Sequence, residues 1–556
     1  MFKKSIAVVA WLLITWQSPA FAEGKVAIAS ANPLATAAGF EILAKGGNVF
    51  DAAVAVSAAL TVVEPSGASL GGGGYWLLHR SGDGFETMID AREKAPLAAH
   101  KDMFLDKAGK LDPKKPLDGA LAAAIPGLPA GLVHLSEKYG RLSLQETLAP
   151  AIQLAKNGYA IGEIHRKLLK FRAELLKEDP KTAGIFLVSG EIPEPYSILK
   201  QPDLANTLQK IATSGRDGFY DGEVAEALVT AVKNAGGIWS QKDLDAYQII
   251  EREPVRGEYH GIKITSAGPS SAGGITLIEA LNVLSAYPLQ SLDSATRKHL
   301  VTAALQRAYH DRVLYLGDPE FIDVPVQRLI SQDYAAGLRS SIRLDKALPS
   351  SFLAGDVSEQ SVGTHTTHFS IIDELGNRVA STLSINFPFG AGLVAGDTGV
   401  LLNDQMDDFA SLAGAANGYG LVGGIANTIA PGKRMLSNMT PTFVEDGQRV
   451  AVLGTPGGSR IMSMVLLAVL DFAEGRGPES WVNLPRYHHQ FMPDVLEYED
   501  GAISPDEIAK LSAIGYKLKQ ARYRYGDMQG VQLQKNTHVL TAVSDRRGEG
   551  GAVVGQ

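Results

Sequence analysis

Cysteine is absent from this 556-residue chain. That excludes disulfide stapling, thiol catalysis and thiolate metal sites together, and leaves stability to a conventional core. Charge of one sign is also scarce. With 52 basic against 60 acidic residues the net charge is −8, and no long basic or acidic run offers nucleic acid or an anionic membrane a footing. There is no fixed-period repeat and no low-complexity linker. No apolar stretch reaches the roughly 18 residues a membrane span requires.

What is present begins with "MFKKSIAVVAWLLITWQSPAFA": two lysines, an apolar run from Ile6 to Trp16, and the small-x-small ending Ala20-Phe21-Ala22. This pattern predicts an export signal over residues 1–22, with a mature chain from Glu23 that is periplasmic or secreted and has no membrane anchor once the signal is removed. At 45% hydrophobic composition the mature chain can build a large core.

Two helices are predicted in "NPLATAAGFEILAKGGNVFDAAVAVSAALTVVEP", separated by Gly46-Gly47, with Asn48 or Asp51 opening the second. A glycine run and two strands joined at Ser81 to Gly84 follow. The middle, Leu121 to Ala347, reads as helix-rich. From Thr364 the chain turns to strands: "THTTHFSIID", "RVASTLSIN", "RVAVLGT" and "THVLTAVSD". Helices and antiparallel-looking strands kept apart predict a layered α+β fold instead of a doubly wound nucleotide-binding sheet.

Four patterns could carry chemistry. His365 and His368 are spaced H-x-x-H, but their β-branched surroundings read as a strand, where residues three apart face opposite ways, so no metal site is expected. His488-His489 diverge for the same kind of reason. "GASLG", Gly67 to Gly71, matches the serine-hydrolase elbow in the wrong context, after a helix and before a strand, and reads as a glycine-rich connection. "VAVLGTPGGSRIMSM" runs strand, loop, helix, and Gly457 and Gly458 either cradle an anion or simply make a tight turn.

The fourth is "THTTHFSIIDELGN". As a hairpin with a three-residue loop, Glu374-Leu375-Gly376, and glycine in the left-handed position, it pairs Asp373 with Asn377. Counting back along both strands brings Thr366 opposite Ser384. A threonine hydroxyl needs a base beside it. A cut before Thr366 would free an α-amine with a pKa of about 7.7 to 8.0 that could serve. By itself the pattern is better read as an ordinary half-buried hairpin.

"TTHFSIID", "GDTGVLLNDQMDDFA", "YGLVGG", "PGKRMLSNMTPT", "GTPGGSR" and "PRYHHQ", with "GGNVFDAAVAVSAAL", "LGGGGYWLLH", "DAREKAP" and "GPSSAGG" upstream, together resemble the gamma-glutamyltranspeptidases across nearly the whole mature chain. The resemblance implies an N-terminal-nucleophile hydrolase: a four-layer αββα sandwich made as a precursor that cuts itself between His365 and Thr366. Large (23–365) and small (366–556) subunits would form one intertwined domain. It implies gamma-glutamyl transfer from glutathione and related amides to water, an amino acid or a dipeptide, without metal or organic cofactor.

By the same resemblance Thr366 is the nucleophile, with Ser384 beside it, and Gly457 and Gly458 form the oxyanion hole. Arg92, Ser437 and Asn438 hold the α-carboxylate. Asp408, Gln405 and Asn386 hold the α-ammonium, and Tyr419 gates a lid at Gly414 to Gly424. Thr367 and His368 are supporting residues. The family usually has Thr at Ser384, Ser at Asn438, and small polar residues at Phe387 and Pro388. Alternatives are a glutaryl or cephalosporin-type acylase of the same superfamily, and a non-catalytic periplasmic amino-acid- or peptide-binding precursor.

Overall fold

The computed structural model describes residues 25–353, 366–411, 414 and 416–556. The expected export signal, and His365 on one side of the expected cut, lie outside them. Thirteen strands build two antiparallel sheets: β1 (Val26–Ser30), β2 (Gly73–Arg80), β3 (Phe85–Ala91), β4 (Ile250–Arg252), β5 (Val255–Tyr259), β6 (Ile262–Ser266), β7 (Thr367–Asp373), β8 (Arg378–Ser384), β9 (Thr442–Glu445), β10 (Arg449–Gly454), β11 (Gln529–Gln534), β12 (Val539–Ser544) and β13 (Gly551–Gly555). The first sheet runs β13-β1-β7-β8-β2-β3-β4 and the second β12-β11-β10-β9-β6-β5.

Alternation along the strands sorts side chains into two cores. Ala27, Ala29, Tyr75, Leu77, Ile372 and Ala380 of the first sheet meet Phe443, Val450, Val452 and Val531 of the second. On the outer face of the first sheet, Ile28, Trp76, Phe369 and Ile371 pack on α1 (Pro33–Ala44) and α2 (Val49–Val63). On the outer face of the second, Ile264, Val444 and Leu453 pack on α3 (Gly273–Leu284), α4 (Ser294–Tyr315) and α5 (Ile461–Ala473). The layers are therefore helix, sheet, sheet, helix, the α+β sandwich that was expected.

Local chemistry explains the boundaries. Asn48 caps α2, with its side chain accepting from the Phe50 and Asp51 N–H groups and the Asp51 carboxylate answering to the Asn48 N–H. α2 is apolar all round because every one of its residues is buried between neighbours. One expectation is corrected: β5 and β6 fall inside the stretch read as helix-rich. Gly257, and the Glu258 and Lys263 pair on the rim, thin the apolar signal of this edge hairpin below what periodicity detects. Among the described residues no helix is long and apolar enough to cross a membrane.

Candidate active site

The β7–β8 hairpin has the expected register, Arg378 opposite Ile372 through Leu383 opposite Thr367. Gly376 turns with φ +91°, and Asp373 accepts from the Leu375 and Asn377 N–H groups to lock the loop. One step beyond the ladder, Thr366 Oγ1 lies 3.2 Å from Ser384 Oγ, and Ser384 Oγ accepts from the Asn386 N–H at 2.9 Å. The glycine run lets neighbouring chain close over this end. A Cβ at Gly72 would stand 2.3 Å from the Ser384 carbonyl oxygen.

Both faces of β7 supply support. Thr367 Oγ1 donates to Glu64 Oε2 at 2.8 Å, and burial pushes that carboxyl up to about 7. His368 is buried against Gly454, bonded to Thr382 and Ser370, and burial pushes it down to about 3, so it is a neutral structural imidazole. His488 and His489 part as expected, one to Ser463 and Gln490, the other to Asp494. Ser69 of the elbow-like pentapeptide is spent on the Leu401 carbonyl and the Gly71 N–H, which makes it a loop fastener. Among the described residues no three His, Asp or Glu side chains are grouped to hold a metal ion.

Thr366, Ser384, Asn386, Gln405, Asp408, Tyr419, Ser437, Asn438, Gly458 and Arg92 line one cavity of about 20 Å³, room for a water or two. Of the residues to which the resemblance gave a nucleophile, oxyanion or substrate-binding role, Gly457 alone is missing from that lining. It precedes Gly458 with φ +146°, and Gly458 itself has φ +57° at the entry to α5. The Tyr419 ring covers Gly458 so closely that a Cβ there would meet it at 2.4 Å. Tyr419 also donates its hydroxyl to the Asn386 carbonyl at 2.8 Å and packs at a tilt of 38° on Phe387, centroids 4.8 Å apart.

Charge is concentrated at the opposite end of the cavity. Arg92, just past β3 and fully buried, forms an ion pair with Asp408 and a looser one with Glu93 at 3.4 Å. Its N–H is held by Asp90, which is itself gripped by Arg252 and Ser270. Gln405 donates to Asp408 at 2.8 Å across a 3₁₀ turn, Gln405–Asp408. Burial and then the adjacent Asp408 push Asp407 up to about 7, although it accepts from the Gly418 N–H. Burial likewise raises Glu93 to about 7 against the pull of Arg92. Ser437 and Asn438 close this end.

Sequence reasoning missed Asp407 and Arg312, whose Nε donates to Asn438 Oδ1 at 2.8 Å. One signal was available for Arg312. It continues the buried stripe Val301, Leu305, Ala308, Tyr309 of α4 at helical spacing, a charge where an apolar residue is due.

The profile of the family described as Gamma-glutamyltranspeptidase matches residues 35–555. A glutathione hydrolase proenzyme of Pseudomonas sp. (strain A14) is 43% identical, covering 90% of this chain and 88% of that one. Its counterpart from Escherichia coli (strain K12) is 42% identical, over 89% and 86%. The crystal structure of cephalosporin acylase from Bacillus halodurans superposes with a TM-score of 0.84 at 25% identity, covering 98% and 99%. With a matching profile from end to end and relatives above 40% identity over nearly their whole length, this chain belongs to the gamma-glutamyltranspeptidase family.

Proposed function

We propose that the protein is a gamma-glutamyl hydrolase and transferase acting on glutathione-like amides through a gamma-glutamyl ester of Thr366. The observation that carries this is the pairing of Arg92 with Asp408 three residues from Gln405, in the cavity that also holds Thr366. An arginine for an α-carboxylate and an aspartate for an α-ammonium recognise an amino-acid end, and in its absence they satisfy each other. A substrate head must separate the pair and replace both halves.

The chemistry then assigned to the chain is as follows. The chain cuts itself between His365 and Thr366 into 23–365 and 366–556, after export directed by residues 1–22. The freed α-amine takes the Thr366 hydroxyl proton as Oγ1 attacks the gamma carbonyl. N–H groups of Gly457 and Gly458 stabilise the oxyanion, a contribution of about 2.7 to 4 kcal/mol for one such donor. The C–N bond breaks as the amine leaves with the proton. Water or an amino acid then attacks the ester and restores the hydroxyl. Ser384 steadies Thr366 throughout.

A glutaryl or cephalosporin-type acylase is favoured by the structural neighbour, but a glutaryl group has no ammonium and would leave Asp408 buried without a cation. Two measurements decide. Purified protein should run as two pieces and release anilide from gamma-glutamyl p-nitroanilide, while Thr366→Ala should stay one chain and release none. An intact, inactive wild type would return the chain to the non-catalytic binding reading.

A further inference from the structure

Resting on the donor-pocket reading above, we propose that Arg312 is a positioning residue for the substrate α-carboxylate, acting through Asn438. A guanidinium Nε–H can only donate, so the Asn438 atom facing it at 2.8 Å is the carbonyl Oδ1. That bond fixes the amide the other way round. Its NH₂ group, with two donors, is left for the cavity that Asn438 lines beside Ser437 and Arg92.

The electrostatics suit the task. Arg312 is buried near the end of α4, and among the described residues no carboxylate forms an ion pair with it; Asp408 acts on it only at longer range. Burial pushes its guanidinium down to about 10, so it stays charged at neutral pH. Arg92 takes Asp408 as its ion-pair partner, so Arg312 stands behind the carboxylate subsite as a buried cation that feels Asp408 only at longer range. Serine at position 438 would hold no such fixed donor pair. The asparagine and the arginine work as a unit.

The test uses the processed enzyme and three fluorogenic coumarin amides: gamma-glutamyl, glutaryl, which lacks the ammonium, and 4-aminobutanoyl, which lacks the carboxylate. Arg312→Gln should raise KM about tenfold for the first two, leave kcat within about twofold, and leave 4-aminobutanoyl kcat/KM unchanged. In an Asn438→Ser background the same substitution should lose most of its effect. Equal losses on all three substrates, a loss in kcat alone, or an undiminished effect without Asn438 would overturn the proposal. Should Arg312→Gln fail to process, Asn438→Asp answers independently. It places an anion next to Arg312, so Tm should rise while turnover of both carboxylate-bearing substrates falls at least 100-fold and 4-aminobutanoyl turnover holds. Retained gamma-glutamyl turnover in Asn438→Asp would refute the amide orientation. A wild type silent on the gamma-glutamyl amide would instead sink the activity itself.

Discussion

The two ends of the cavity are built on different principles. Around Thr366, Ser384 and Gly458 the lining consists of hydroxyls and backbone, placed by a hairpin register and a helix entry. Around Arg92 and Asp408, with Glu93 and Asp407 close behind them, the groups are a buried guanidinium and buried carboxyls, placed by loops from distant parts of the chain. Rigid sheet geometry suits an attack trajectory, which tolerates little displacement. Buried ion pairs suit selection, because a ligand missing one charge leaves its partner orphaned.

If that division is right, substitutions should separate by substrate at one end and act on all substrates at the other. Asp408→Asn has the largest expected effect, lowering gamma-glutamyl kcat/KM by about 10² to 10³ on the scale of a broken buried charge pair, with glutaryl turnover held or raised because no buried carboxylate is then left orphaned. Equal losses would erase the distinction between the ends. Gly458→Ala should reduce kcat about 10²-fold for every substrate, because the added methyl meets the Tyr419 ring and the left-handed backbone resists it. A loss confined to KM would place Gly458 outside the oxyanion site.

Ser384→Ala removes one hydroxyl partner of Thr366 and should slow kcat about five- to tenfold, the worth of a single hydrogen bond. Ser384→Thr should recover it. The smallest expected effect concerns pH and stability. Asp407, raised to about 7, keeps its proton in the fold where an unfolded aspartate has lost it, so its stabilising share is full below about pH 4 and is lost as pH rises through 7. Asp407→Asn cannot ionise, and its Tm relative to wild type should climb by a few degrees between pH 5 and pH 8. His368, held neutral down to about 3, acts in the opposite sense. Its unfolded form takes up a proton below about pH 6.5, so this group destabilises the fold on acidification. A flat Tm difference for Asp407→Asn would show that the carboxyl is ionised throughout.

The same division decides what could be read from the sequence. Pairing Asp373 with Asn377 needed only a loop length and a glycine, and it delivered the Thr366–Ser384 contact directly. Cap residues and apolar spacing did the same for α1 and α2. No local rule joins Arg92 to Asp408, 316 positions apart, or Arg312 to Asn438, 126 apart. Family resemblance put Arg92 and Asp408 in one pocket as separate anchors, but their contact, like that of Arg312 with Asn438, came only from coordinates. The edge hairpin β5–β6 was lost because Arg256, Glu258 and Lys263 face solvent and Gly257 has no side chain, which breaks the pattern that marks buried strands.

Both sheets take strands from either side of residue 366: β1 to β4 sandwich β7 and β8 with β13 in the first, and β5 and β6 extend β9 to β12 in the second. A chain cut there would leave neither of these two large sheets to one piece alone. Before the cut, recovery from unfolding is a first-order event that one molecule completes by itself. After it, recovery needs two pieces to meet, so it becomes second order and fades on dilution, while loss stays first order. Heat inactivation of the mature protein should therefore turn irreversible at low concentration even where nothing aggregates, and the uncut Thr366→Ala chain should regain its fold at any dilution.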